Sequence, residues 1–375
     1  MTSILPRAGR IPSRFSMPVG TDRPADAAAL QRHFDDWLES PTKSVCQQLR
    51  ISFGEHILAI DFHDPELMAV YGRALKHASA GSDAAVAITL HVMSETGCGL
   101  ALRGLGWSRS DFGLKRVVPG WSDERRTTFL LRTEAGIALV NWQEGRGYVW
   151  VPDRRKVPWW EQAAPFRWLM DRMAQRLGLC TLHAGLVGLD GRGVLFAGPG
   201  GAGKSTLALA CIGLGLDYLA DDYCLLAQAG APICFNLYSS AKWSKDARTS
   251  LAWLDRAPSS ALDQRGEKSI LFLDELDDAR IASRASVSAI VLPWINTGGD
   301  AKLRAATPQE AFRRLAPSTI GQSEADGGYV SARIARLVKA VPAFHLDMPP
   351  RAEDSARAVA GLLSRIAMRT TAAGA

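Results

Sequence analysis

The chain has 375 residues, 47% hydrophobic and 22% charged, and its 44 basic and 38 acidic side chains leave a formal net charge of +6. This is a globular composition with room for two domains and a large core. The positive balance is mild and holds no long basic run. That argues against a nucleic-acid partner and suits an anionic nucleotide or an acidic peptide.

In chain order, residues 1–44 read as a flexible tail followed by an amphipathic helix. Pro6, Pro12, Pro18, Arg7, Arg10 and Arg14 break up the start, which lacks the apolar centre of a secretory signal. From Asp26 to Leu38, Ala29, Leu30, Phe34, Trp37 and Leu38 recur at helical spacing. Residues 45–152 are expected to form a strand-rich domain. A hairpin over 48–62 turns at Gly54-Glu55, a helix spans Pro65 to His77, and a strand spans Ala85 to Met93. A meander follows over 127–132, 136–142 and 147–151, with turns at Glu134-Ala-Gly136 and Glu144-Gly-Arg-Gly147. Pro152 to Pro158 is a polar, proline-bounded linker. After it, Trp159, Trp160, Phe166, Trp168, Leu169, Met173 and Leu177 form an aromatic stripe, read as one helix packing between domains.

Residues 198–205 read Gly-Pro-Gly-Gly-Ala-Gly-Lys-Ser, a complete P-loop pattern. The apolar run Gly193–Ala197 precedes it and the helix-forming run Thr206–Ile212 follows, the strand–glycine loop–helix context that gives the motif its meaning. Glycines let backbone N–H groups turn toward phosphate oxygens, and the helix N-terminus adds its positive dipole end. Gly198, Pro199, Gly200, Gly201, Ala202, Gly203, Lys204, Ser205 and Thr206 are therefore the expected nucleotide-binding segment. Lys204 would reach the β- and γ-phosphates, and the Ser205 hydroxyl would ligate Mg²⁺.

His183 lies fifteen positions before Gly198, and Asp221 and Asp222 lie seventeen and eighteen after Lys204. Ligands of open α/β sheets gather outside the carboxyl ends of strands. A carboxylate pair ending the strand after the P-loop helix would face the γ-phosphate. One carboxylate can hold Mg²⁺ and the other can take a proton from an attacking hydroxyl. Which aspartate does which is open at this level. Further on, Thr307-Pro-Gln-Glu310 signals a helix start, and a helix from Glu353 to Met368 precedes an end, 369–375, expected to fray. Cysteines 46, 98, 180, 211, 224 and 234 form no Cys-x-x-Cys pair. They read as buried free thiols in a reducing compartment, so a cytoplasmic enzyme with no membrane partner is expected.

The stretch from Leu182-His-Ala-Gly to Ala220-Asp-Asp222 resembles the catalytic domain of HPr kinase/phosphorylase, matching at His183, Gly198, Gly203, Lys204, Ser205, Asp221 and Asp222. The resemblance implies an α/β P-loop kinase core of the HPr kinase C-terminal type, related to phosphoenolpyruvate carboxykinases, over 153–375. A smaller mixed α+β domain would precede it. It also implies Asp222 as base, His183 as its orienting partner, and Mg²⁺ on Ser205, Asp221 and Asp222. The chain departs from that family where a Glu-x-Arg-Gly-rich signature is expected and Asn236–Lys242 stands instead. Lys242 and Lys268 are candidates for the missing positive charge. Downstream, Lys268–Leu276, Ala289–Pro293 and Leu315–Thr319 look more like the HPr-kinase-related kinases that phosphorylate lasso-peptide precursors.

The expectation is thus an ATP-dependent serine kinase acting on a peptide or small protein, of the lasso-peptide-precursor kind. A regulatory HPr kinase/phosphorylase and a nucleotide-binding module without transfer activity are the alternatives. The strand-rich domain is expected to position the peptide or to support a homo-oligomer.

Overall fold

A computed structural model describes residues 24, 26–40, 45–81, 85–102, 116–118, 120–131, 136–243, 251, 253–254, 262–264, 268–277, 279–296 and 298–373, with backbone alone for 262–264, 268 and 369–373. The tail before residue 24, the turn at Glu134 and the Lys268 side chain lie outside the described residues. The chain divides into two compact units. One comprises Met1–Gln48, Ala59–Leu67 and Ile88–Val157, and the other Leu49–Leu58, Met68–Ala87 and Pro158–Ala375.

In the first unit, helix α1 (Ala27–Glu39) starts where the Asp26 carboxylate accepts the Ala29 N–H at 2.7 Å. Its apolar stripe buries Leu30 and Phe34, and Phe34 stacks on Tyr148 with ring centres 5.1 Å apart. Strands β1 (Gln47–Phe53) and β2 (His56–Phe62), of which Leu49–Leu58 belongs to the second unit, form the expected hairpin, turning at Gly54, whose φ of 64° favours glycine. Helix α2 (Pro65–Tyr71) is shorter than its pattern suggested, because the chain tightens into 3₁₀ turns over 72–74 and 76–78. Strand β3 (Val86–Ser94) is followed by the single turn α3 (Glu95–Cys98). Strands β4 (Arg126–Leu130), β5 (Ile137–Asn141) and β6 (Arg146–Val151) make an antiparallel meander. The sheet runs β1-β2-β3-β6-β5-β4, with β3 parallel to β6.

The second unit's aromatic stripe departs from expectation. It is two helices, α4 (Trp159–Ala163) and α5 (Arg167–Arg176), rather than one. Pro165 cannot donate to a helical ladder, and Phe166 after it takes a left-handed φ of 54°. Strands β7 (Cys180–His183), β8 (Gly185–Leu189) and β9 (Arg192–Phe196) lead to helix α6 (Lys204–Gly213). Strands β10 (Asp217–Ala220), β11 (Tyr223–Ala227), β12 (Ile233–Asn236) and β13 (Ser240–Trp243) follow. Strand β13 joins β14 (Leu262–Gln264) and β15 (Lys268–Phe272) in a small sheet. Last come β16 (Arg284–Ile295), β17 (Lys302–Ala306), α7 (Pro308–Gln322), α8 (Gly327–Ala340), β18 (Ala343–Met348) and α9 (Ala352–Ala373). The final helix runs past Met368, where fraying was expected.

The main sheet runs β10-β8-β9-β16-β12-β11-β7, with β18 on β16 and β17 on β18. Side chains alternate between its faces. Val194, Phe196, Val291 and Leu346 pack on one side against α6 and α9 residues such as Leu207, Ala356 and Leu363. Leu195, Ile290 and Leu292 pack on the other against Leu315 of α7 and Ile334 of α8. Near-continuous apolar strands are what a sheet covered on both faces requires.

Helix α7 opens with a full capping box. The Thr307 hydroxyl accepts the Glu310 N–H at 3.3 Å, and the Glu310 carboxylate accepts the Thr307 N–H at 2.8 Å. Thr307→Ala is expected to lower stability by about 1 kcal/mol, as a reduced urea midpoint at unchanged slope. Among the described residues all six cysteines are free. Five are buried, and Cys46 is exposed rather than buried as expected. No described helix is long and apolar enough to cross a membrane.

Candidate active site

Strand direction brings the candidate residues to one edge. Strands β9 and β10 are both antiparallel to β8, so they run the same way. Their carboxyl ends therefore share an edge, the glycine loop following β9 and Asp221-Asp222 following β10. Strand β11 leaves the aspartates and pairs antiparallel with β7, setting Tyr223 opposite His183. The Ala184 N–H donates to the Asp222 carbonyl at 3.0 Å, which locks the histidine beside the aspartates.

The glycine loop turns as its sequence demands. Gly201 and Gly203 take φ of 82° and 91°, a region that a side chain would strain. Pro199, Gly200 and Gly201 are exposed, so the loop's outer surface faces solvent. Gly203 caps α6 without a side chain, leaving the helix N-terminus to a ligand rather than to a cap. Ser205 and Thr206 stand in the first turn of α6, next to Lys204. The Lys204 ammonium donates to the carbonyls of Gly198 and Pro199 at 2.8 and 3.1 Å, lying across the loop it follows.

The aspartates have opposite surroundings. Asp221 is 2% exposed. Its Oδ2 accepts the Lys242 backbone N–H at 2.7 Å, and Ser205 is close enough to favour its ionised form. Its buried Oδ1 has no hydrogen-bond partner among the described residues. Burial, then the neighbouring Asp222 charge, push its pKa up to about 6. A divalent cation at that oxygen would relieve both penalties, so Asp221 and Ser205 fit a Mg²⁺ site that also takes phosphate oxygens.

For Asp222, burial alone would raise the pKa, but the Lys242 ammonium and His183 overcome it and hold the carboxyl well below its ordinary range. Lys242 Nζ donates to Oδ2 at 2.5 Å, and His183 Nε2 lies 3.6 Å from Oδ1. The His183 pKa is lowered, mainly by burial, so the imidazole is neutral near pH 7. Its Nδ1 lies 3.3 Å from Gln322 Nε2, and Thr319 Oγ1 accepts its backbone N–H at 3.1 Å. Gln322 Oε1 also accepts the Tyr223 hydroxyl at 2.6 Å.

Gln322 was not foreseen. Lys242, a candidate for positive charge near the phosphates, is the counter-ion of Asp222. The Asn236–Lys242 stretch forms a wall of the site. Asn236 Nδ2 donates to the Leu219 carbonyl at 2.6 Å, bracing the strand before the aspartates, and β13 then delivers Lys242. Tyr218, Tyr238 and Ser240 line a small cleft beside Asp221, Asp222 and Lys242. Arg167 stands 5.2 Å over the Tyr223 ring and is held by Asp171 at 3.0 Å.

No family model and no curated protein matches the chain. Among solved structures it is similar to the HPr(Ser) kinase/phosphatase from Coxiella burnetii. The TM-score is 0.27 and the identity 16%, over 51% of this chain and 97% of that one.

Proposed function

We propose that the chain is an ATP-dependent phosphotransferase acting on the serine hydroxyl of a peptide or small protein. The carrying observation is the pairing of a cradle and a base at one sheet edge. A glycine loop with an uncapped helix N-terminus lies beside two aspartates, one with an orphaned buried oxygen and one held ionised. Phosphoryl transfer needs little more than a cradle, a metal and a base in line.

In this reading the loop N–H groups from Gly200 to Ser205 hold the phosphates, and Lys204 leaves its carbonyl partners for the β- and γ-phosphate oxygens. Asp221 and Ser205 would hold Mg²⁺, which would supply charge neutralisation at the phosphate oxygens. Asp222 accepts the proton of the serine hydroxyl as its oxygen attacks the γ-phosphorus and the bond to the β-phosphate bridging oxygen breaks. Neutral His183, steadied by Gln322, keeps the Asp222 carboxylate aimed. A ribosomally made peptide precursor is the proposed substrate class, on the strength of the downstream sequence likeness over Lys268–Leu276, Ala289–Pro293 and Leu315–Thr319. The proposed location is the cytoplasm.

Incubation with γ-labelled ATP, Mg²⁺ and precursor peptides should give phosphoserine. Label found only as free phosphate would sink the peptide-kinase reading. Phosphate-dependent release of pyrophosphate from phosphopeptide would point to a phosphorylase instead. Lys242→Met should raise the Asp222 pKa by removing its ammonium partner. Because the ionised form is the active one, the acid limb of the pH–rate profile should move to higher pH. An unmoved limb would separate Lys242 from the base.

A further inference from the structure

Two large apolar side chains, Trp294 and Ile295, each 57% exposed, end strand β16 beside the glycine loop. Strand β16 is parallel to β9 on one side and to β18 on the other. Its carboxyl end therefore shares the edge that carries the loop and the aspartates. Gly203 is the point of contact. A Cβ added there would meet Met348 Cε at 3.2 Å and Ile295 Cγ1 at 3.5 Å. The register pairs Ile295 with Met348, which is buried, so Ile295 is the exposed surface of a ledge that Met348 backs against the base of the loop. Asn296, also exposed, follows with its N–H tied to the Met348 carbonyl at 2.8 Å.

Direction decides what the ledge can hold. The aspartates follow β10, which pairs with β8 on one flank of β9, and the Ala184 N–H at the start of β8 holds the Asp222 carbonyl, while Ile295 and Met348 belong to β16 and β18 on the other flank. A nucleotide whose γ-phosphate faces Asp221 and Asp222 must extend its α-phosphate and nucleoside along the loop toward the opposite flank. That flank presents exposed hydrocarbon, contiguous with the cradle, followed by an amide that can donate and accept. Flat heterocycles bury well against such apolar surfaces set beside a few polar groups.

The geometry points to the Ile295–Met348 ledge as the seat of the nucleobase, with Asn296 at the base's polar edge. Trp294 lies on the other face of β16, where Arg314 of α7 stands 5.4 Å over its ring, and takes no part in the ledge. The inference rests on the nucleotide-binding reading above and adds where the nucleoside lies. The hydrocarbon contact carries little base selectivity, and the Asn296 amide supplies what selectivity there is.

Calorimetric titration of the full chain with Mg-ATP and with Mg-tripolyphosphate separates the two readings. Ile295→Ala should weaken ATP about tenfold, the worth of one apolar contact, and leave tripolyphosphate unchanged. Asn296→Ala should narrow the affinity gap between ATP and GTP. Both side chains are exposed, so thermal midpoints should stay at the native value. Equal loss for both ligands, or no loss for either, overturns the base site while leaving the cradle intact. If the native chain binds neither ATP nor tripolyphosphate, the nucleotide reading itself falls.

Discussion

Lys204→Ala is expected to cut phosphoryl transfer by about 10²–10³-fold, the usual worth of one preorganised charge aimed at a developing anion. Nucleotide affinity should fall as well. The ammonium now rests on the Gly198 and Pro199 carbonyls, and nothing else in the loop can carry a full positive charge to the β- and γ-phosphates. The fold should persist, since the Pro199 carbonyl lies in the exposed part of the loop and the apolar packing of α6 does not depend on the ammonium. Labelled-ATP transfer, calorimetric binding and a thermal melt check the three parts together. Transfer at the native rate would falsify the P-loop reading.

Asp222→Asn is expected to lower turnover by roughly a hundredfold or more, because the amide keeps the shape but cannot take a proton. Nucleotide affinity should change less than in Lys204→Ala, since the proposed mechanism sets Asp222 against the attacking hydroxyl rather than the phosphates. The substitution also strands the Lys242 ammonium, whose partner lies 2.5 Å away. A lowered melting temperature should therefore accompany the loss of rate. Asp221→Asn should act differently, weakening Mg²⁺-dependent binding while removing the buried charge that repels Asp222. Should Asp221→Asn abolish transfer and Asp222→Asn spare it, the two roles are exchanged. His183→Ala should cost a smaller factor and shift the acid limb upward, because His183 helps hold the Asp222 carboxyl low.

The elements readable from sequence were those whose cause is local. The glycine loop is one contiguous run, and the need for positive φ at Gly201 and Gly203 is written into it. The capping box at Thr307 and Glu310 likewise closes within a single turn. The one-helix reading of the aromatic stripe failed on a local signal that was present. Pro165 had to interrupt the ladder, and the run of aromatic residues masked it.

The glycine loop and the order of strand, loop and helix around it were legible in the sequence, because eight adjacent residues suffice to shape the loop. Tertiary structure alone decided how the two aspartates differ. Lys242 reaches Asp222 from β13 and its N–H reaches Asp221, while Gln322 reaches His183 from the end of α7 across 139 positions. Neither residue belongs to a motif. Each arrives by strand pairing and helix packing, and each acts through a field that falls steeply with distance. Two neighbouring carboxylates of identical chemistry thus have their pKa values driven apart, one up to about 6 and the other well below the ordinary range, by partners that no local pattern could place.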